Sequence, residues 1–287
     1  MENIEILSLA DNYVVHPGQS FEGTLGEHGL SFLVSGYGRN ILFDTGSGLT
    51  IEQNARILGL NWETIDAVIL SHAHDDHTGG LETVMKHLAG TEVFVHPAIF
   101  RQKYAVEPGK EPAPSGMFKT KEAYEAAGIK FNLRKEEIKE IAENIFLVGP
   151  IARIKPSNDL KVARRCLKEG DSFIPDPMSD EQVLVLKTPG GLLIITGCTH
   201  NGLENTIAQV KEKMGDKIFG VIGGLHLCDT KAKEIREIAH WLKAEKISLL
   251  GCCHCTGFEA ASLLSQFLGD SVVFFNYVGR KTSIDLT

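Results

Sequence analysis

Residues 72–77 of this 287-residue chain bring three histidines and two aspartates together in six consecutive positions. They follow a largely apolar run, which predicts a buried strand that ends where the histidines begin. In an extended chain His72 and His74 point to the same side, while Asp76 and His77 follow on a turn toward a second point. Imidazole and carboxylate are ligands that zinc and similar divalent ions prefer. The run therefore predicts a site for two divalent metal ions at a strand end.

The remainder of the chain alternates between strand and helix patterns. In the first half, strands are predicted at 4–15, 30–34, 41–46, 67–70 and 91–95, and helices at 51–60 and 81–88. In the second half, strands at 182–186, 192–196, 218–222 and 247–250 precede or follow helices at 203–214, 231–244 and 257–268. Helices outside and two sheets within predict an α/β fold, a four-layer αββα sandwich.

The chain contains no linker rich in serine, glycine and proline that would separate two halves, so residues 1–287 are expected to form a single domain. Residues 101–135 interrupt the alternation with prolines and glycines and predict an irregular insertion, apart from a short helix at 120–127. Such an insertion is either a lid beside the site or a surface excursion. Residues 156–181 form a second irregular stretch.

The net charge of −8 does not favour a nucleic-acid surface, which needs a basic patch. No apolar run reaches the length that spans a bilayer, and the first residues lack the features of a signal peptide. We therefore expect a cytoplasmic protein whose six cysteines are reduced and whose partner is a small-molecule substrate. The sequence does not fix the oligomeric state.

Three predicted strands of the second half end in turns that carry histidine. These turns contain Cys198 and His200, His226 after two glycines, and His254 between cysteines. Because sites gather at strand ends in layered α/β folds, these residues are candidates for the same site as the histidine run.

The pattern H-x-H-x-D-H followed by T-G-G resembles the signature of the metallo-β-lactamase superfamily. A closer resemblance is to its branch of metal-dependent hydrolases, β-lactamase superfamily II, which includes the 7,8-dihydropterin-6-yl-methyl-4-(β-D-ribofuranosyl)aminobenzene 5′-phosphate synthases. Four further segments carry that resemblance, namely residues 28–31, 197–202, 223–227 and 253–257. The resemblance implies the αββα fold and two divalent ions, with zinc favoured and manganese or iron as alternatives.

Carried onto this chain, the resemblance implies a first metal held by His72 and His74 with a later histidine, for which His200 is the candidate. It implies a second metal held by Asp76, His77 and His254.

Two further positions qualify this ligand set. Cys198 stands where the superfamily has a bridging aspartate, and it either ligates as a thiolate or only packs. Asp44 matches a position that supports the ligands by hydrogen bonding to an imidazole.

His226 and His28 are candidates for contact with the substrate, although a structural role is an alternative for each. His226 follows two glycines at a strand end, where it could meet a phosphate or carboxylate. His28 precedes a predicted hairpin and could reach the rim of the site. His226 and Asp76 are the predicted catalytic residues.

Three functions remain open at this point. The first is a metal-dependent hydrolase, in which water activated by the ions attacks an ester or phosphoester. The second is a metal-dependent transferase that joins a dihydropterin-methyl group to a ribofuranosylaminobenzene phosphate. The third is a non-catalytic metal-binding or redox protein. The resemblance implies a phosphorylated small-molecule substrate for the enzymatic functions.

Overall fold

The structure, a computed structural model, describes residues 3–15, 23–155 and 164–287. In chain order its strands are β1 (Asn3–Ala10), β2 (Ser31–Gly36), β3 (Arg39–Phe43), β4 (Ala67–Ile69), β5 (Glu92–Val95), β6 (Lys103–Ala105), β7 (Ala113–Pro114), β8 (Lys130–Leu133), β9 (Ile138–Ala142), β10 (Ile145–Val148), β11 (Arg165–Glu169), β12 (Ser172–Pro175), β13 (Val183–Thr188), β14 (Gly191–Thr196), β15 (Ile218–Gly224), β16 (Leu249–Cys253), β17 (Val273–Phe275) and β18 (Lys281–Asp285).

The α-helices are α1 (Ile51–Ile57), α2 (Asp75–Thr78), α3 (Leu81–Met85), α4 (Lys121–Ala126), α5 (Leu203–Met214), α6 (Ala232–Ala244) and α7 (Phe258–Leu268). Short 3₁₀ turns occupy Trp62–Thr64, Pro97–Phe100 and His254–Thr256. Within the described ranges, no helix is both long and apolar enough to cross a membrane.

Two seven-stranded sheets form the centre of the molecule. The first has the order β18-β1-β2-β3-β4-β5-β8, and the second has the order β17-β16-β15-β14-β13-β10-β9. Strands β3, β4, β5 and β8 run parallel, as do β14 to β17, whereas the remaining neighbours are antiparallel. Because parallel strands end at the same edge, the turns after β14, β15 and β16 lie side by side.

Three apolar clusters hold the layers together. The central cluster lies between the sheets and joins residues such as Phe32 and Phe43 of the first sheet to Leu193 and Ile195 of the second. A second cluster packs α5, α6 and α7 on the outer face of the second sheet. A third packs α1, α3 and α4 on the outer face of the first. The predicted four-layer αββα architecture is confirmed.

Residues 101–135 differ from the irregular insertion that the sequence predicted. Strand β8 extends the first sheet beside β5, and α4 buries Tyr124 in the outer cluster. Strands β6 and β7 join β11 and β12 in a small four-stranded sheet. Of the second predicted irregular stretch, residues 156–163 lie outside the described residues, while β11 and β12 are regular strands.

The small sheet rests directly on the histidine run. The buried Lys103 ammonium on β6 lies 2.5 Å from Asp180 Oδ1 and 2.9 Å from Asp176 Oδ2. The other oxygen of Asp180 accepts a hydrogen bond from the backbone N–H of Ala73, at 2.8 Å. Ala73 separates His72 from His74, so the buried ion pair holds the backbone that presents both imidazoles.

We expect Lys103→Met to lower the free energy of unfolding by about 3–5 kcal/mol, because two buried carboxylates would lose their cation. Lys110→Met is the control, since it removes an exposed pair with Glu107 and should cost far less. Equilibrium unfolding in urea measures both. Equal costs for the two variants would contradict the role of the buried pair.

Candidate metal centre

The candidate site forms where strands of both central sheets end. The turn after β4 carries His72 and His74, and the turn after β14 carries His200. The turns after β15 and β16 carry His226 and His254. The fold thus brings together histidines that lie far apart in the sequence.

Three buried imidazoles form the first cluster. His74 Nδ1 lies 3.0 Å from His72 Nε2 and 3.0 Å from His200 Nε2. A ring nitrogen has either one hydrogen or one lone pair, so His74 Nδ1 cannot form two good hydrogen bonds along these directions. A tetrahedral zinc ion would hold such nitrogens about 3.3 Å apart. The geometry fits a divalent cation at the centre of the three nitrogens.

The protonation of these three histidines fits the same interpretation. Burial lowers the pKa of His72, His74 and His200 well below the usual imidazole range, and the neighbouring positive groups lower it further. The imidazoles are therefore neutral near pH 7, which is the form that binds a metal ion.

Asp44 and Ser71 orient the imidazole of His72. The Asp44 carboxylate accepts hydrogen bonds from the Ser71 backbone N–H at 2.6 Å and from its hydroxyl at 2.7 Å. The Ser71 oxygen in turn lies 2.8 Å from His72 Nδ1. With its hydroxyl hydrogen committed to Asp44, Ser71 accepts from Nδ1, which leaves the lone pair on Nε2 facing the cluster.

The second cluster surrounds the carboxylate of Asp76. Its Oδ2 lies 3.3 Å from His254 Nε2 and 3.8 Å from His77 Nε2. His28 Nε2 also lies 3.2 Å from this oxygen. The structure brings the predicted second ligand set together and places His28 against it, on its exposed side.

Each imidazole of this cluster is held through its other nitrogen. His77 Nδ1 lies 2.7 Å from Asp44 Oδ2, and His254 Nδ1 lies 2.8 Å from the side-chain oxygen of Asn12. Both contacts place the hydrogen on Nδ1 and turn the Nε2 lone pair toward the cluster, an arrangement typical of metal-binding histidines.

The second cluster carries more negative charge than the first. Burial opposes ionisation of Asp76, but His77, His254 and His28 outweigh it and hold the pKa of this carboxyl well below its usual range. Burial likewise opposes protonation of His77, but the carboxylates of Asp76 and Asp44 raise its pKa to about 9. The field that favours a second proton, on Nε2 of His77, would equally favour a divalent cation at that nitrogen.

Cys198 lies between the two clusters. Its sulfur is 3.1 Å from His77 Nε2, and it belongs with His72 and His77 to a group whose ligand atoms lie within 4.8 Å of one another. Similar groups join it to His200 and His226, and to His254 and Cys255. Burial raises the pKa of the Cys198 thiol well above its usual value. Its position suits a ligand shared by two ions.

Gly197 brings the Cys198 turn close to the rest of the site. A Cβ atom at Gly197 would lie 2.2 Å from Ser71 Oγ and 3.1 Å from Asp44 Oδ2. The absence of a side chain is therefore needed for the β14 turn to approach the Asp44 hydrogen bonds.

His226 lies beside the first cluster. Its ring centroid is 4.3 Å from that of His200, and it lines a cavity of about 200 Å³ together with Thr199 and Leu225. A contact with substrate remains a prediction for His226, as it does for His28.

The sequence alone did not single out Asn12 or Glu181. Glu181 is buried, and its carboxylate accepts hydrogen bonds from the backbone N–H groups of His200 and Asn201 at 2.5 and 2.8 Å. Burial raises the pKa of Glu181 to about 7. For Cys255 the sequence did contain a signal, its position next to His254. Asn12 and Glu181 contact the site through residues far away in the sequence, so no local pattern reveals them.

The chain was compared with known families and proteins. The profile of the metallo-beta-lactamase superfamily matches residues 25–210. The 7,8-dihydropterin-6-methyl-4-(beta-D-ribofuranosyl)-aminobenzene-5′-phosphate synthase of Methanocaldococcus jannaschii is 33% identical over 275 residues, which cover 93% of this chain and 92% of that protein.

Solved structures are similar to this chain as well. The crystal structure of a metal-dependent hydrolase of the beta-lactamase superfamily matches with a TM-score of 0.81 and 30% identity, covering 97% of this chain and 98% of the other. Zinc-bound PqqB from Methylobacterium extorquens matches with a TM-score of 0.57 and 12% identity over 97% of this chain and 99% of that one, a likeness of fold alone.

We expect His74→Ala to weaken divalent-ion binding by about 10-fold or more, because His74 supplies the nitrogen nearest to both partners in the first cluster. His240→Ala, which changes an exposed histidine on α6, is the matched control and should retain its ions. Elemental analysis after dialysis against a weak chelator measures the difference. Full metal content in His74→Ala would contradict the assignment of the first cluster.

Proposed function

This chain belongs to the metallo-beta-lactamase superfamily, and we propose that it is a metal-dependent enzyme that cleaves an ester bond of a phosphorylated small molecule. The proposal rests on one observation, the two adjacent ligand clusters that share Cys198 as a common neighbour. When bound, divalent ions there would polarise a substrate oxygen and lower the pKa of a water molecule.

The residues of the two clusters divide the work in this proposal. His72, His74 and His200 would hold the first ion, and Asp76, His77 and His254 would hold the second. Asp44 and Asn12 keep the imidazole lone pairs aimed inward and thereby preorganise the site. His226 and His28 would contact the substrate from opposite ends of the pair of clusters.

Two reactions fit this site. Hydrolysis is the first candidate, and it is supported by the name of the structural relative that is a metal-dependent hydrolase with 30% identity. Transfer is the second candidate, because the relative with 33% identity is a synthase that forms an aminobenzene phosphate product. In the transfer reaction a dihydropterin-methyl group would pass from its diphosphate ester to an aromatic acceptor, and the site would hold the leaving diphosphate.

A product assay separates the two reactions. We expect the metal-loaded protein to release phosphate or diphosphate from a phosphorylated substrate, and we expect poor turnover of plain β-lactams. Release of phosphate or diphosphate without an acceptor supports hydrolysis. Transfer is supported if a pterin-methyl diphosphate releases diphosphate only when a ribofuranosylaminobenzene phosphate is present. His74→Ala should lose either activity. Efficient β-lactam turnover without phosphoester cleavage would contradict the substrate class.

We further propose that Cys198 ligates metal as a thiolate. The cobalt-substituted protein should then show a thiolate-to-cobalt charge-transfer band in the near ultraviolet, and Cys198→Ser should lose it. Cys252→Ser is the matched control, since Cys252 is fully buried but belongs to none of the candidate ligand groups in the described residues. An unchanged band in Cys198→Ser would show that Cys198 only packs.

A further inference from the structure

Two arginines flank the first cluster. Arg153 follows β10, and its Nη2 atom donates a hydrogen bond to the backbone oxygen of His200 at 3.4 Å. Its Nε atom is buried and has no hydrogen-bond partner in the described part of the chain. A buried guanidinium N–H without an acceptor is unfavourable, so an anion that reached this N–H would satisfy it.

Arg165 lies on the small sheet, which packs against the same cluster through Lys103 and Asp180. It is the first residue of β11, where it pairs with Ala105 of β6, and its backbone oxygen accepts from the Asp176 N–H at 2.9 Å. Asp176 is one of the two carboxylates on Lys103, whose other partner holds Ala73 between His72 and His74. Burial is the main reason for the low pKa of His74, and the charge of Arg165 is the next.

Neither arginine has a carboxylate partner in the described part of the chain. In residues 3–15, 23–155 and 164–287, no aspartate or glutamate lies within 4.0 Å of either guanidinium. Among the described residues, therefore, neither guanidinium is held in an ion pair, although each side chain is half-buried. An arginine presents a planar fork of N–H groups that matches the oxygens of a phosphate group.

We propose that Arg153 and Arg165 bind the phosphate or diphosphate group of the substrate beside the first cluster, an inference that rests on the proposed function. Arg153 contacts the anion from the His200 side, and Arg165 contacts it from the side of the small sheet. The pair determines substrate class, because an ester without a second anionic group gains nothing from these two cations.

The test uses metal-loaded protein and measures the binding of inorganic phosphate and inorganic pyrophosphate by calorimetry. The variants are Arg153→Gln, Arg165→Gln and the double variant. Arg164→Gln is the matched control. Arg164 is exposed, and this substitution removes the same charge one residue away from Arg165. Loss of a charge-assisted hydrogen bond should weaken anion binding by about 10-fold in each single variant. The control should change it by less than about 2-fold, and metal content and thermal stability should stay as in the natural chain.

The outcomes separate this inference from the proposed function. The inference would be overturned if Arg153→Gln and Arg165→Gln bound the anions as tightly as Arg164→Gln does. This holds even if the variants keep their metal ions and their activity. A natural chain that holds no divalent ion would overturn the proposed function, and titration of that metal-free protein would still test the two arginines. Arg153→Lys and Arg165→Lys keep the charge and remove the fork, so they should recover only part of the affinity.

Discussion

The carboxylate of Asp44 is the interaction on which the site depends. It is fully buried at the end of β3, and it receives the backbone N–H and hydroxyl of Ser71 and faces Nδ1 of His77. These contacts tie three segments of chain to one point. They also set the tautomers of His72 and His77, one in each cluster, so a single buried group aligns both halves of the centre.

The small third sheet has a structural role that its sequence conceals. Prolines and glycines in 101–135 indicated an irregular excursion, yet β6 carries a buried lysine whose partners hold the backbone between His72 and His74. The backbone N–H of Asp75 also donates to the Ser115 oxygen beside β7. The small sheet thus supports the backbone of the candidate metal ligands, and its strand β11 carries Arg165.

The sequence predicted the layers of the fold and the candidate histidines of the site because both depend on patterns within a short stretch of chain. Apolar periodicity gave helix α5 its limits of Leu203–Met214, and the density of ligands in 72–77 was informative by itself. Strand β1 was predicted too long, since the chain leaves the sheet at Ala10 and Asn12 turns toward His254. The roles of Asn12, Glu181 and Lys103 arise from contacts between residues far apart in the sequence, and no pattern within a short window contains them.

The burial of Cys198 has a consequence for how the centre would fill. Because its thiol has a raised pKa, the sulfur stays protonated when no cation is near, and a protonated thiol reacts slowly with oxidants. An ion that takes this sulfur as a ligand must displace the proton into solution. Loading would therefore acidify the medium and become more favourable as the pH rises. As a soft ligand, this sulfur would also favour zinc over magnesium or calcium.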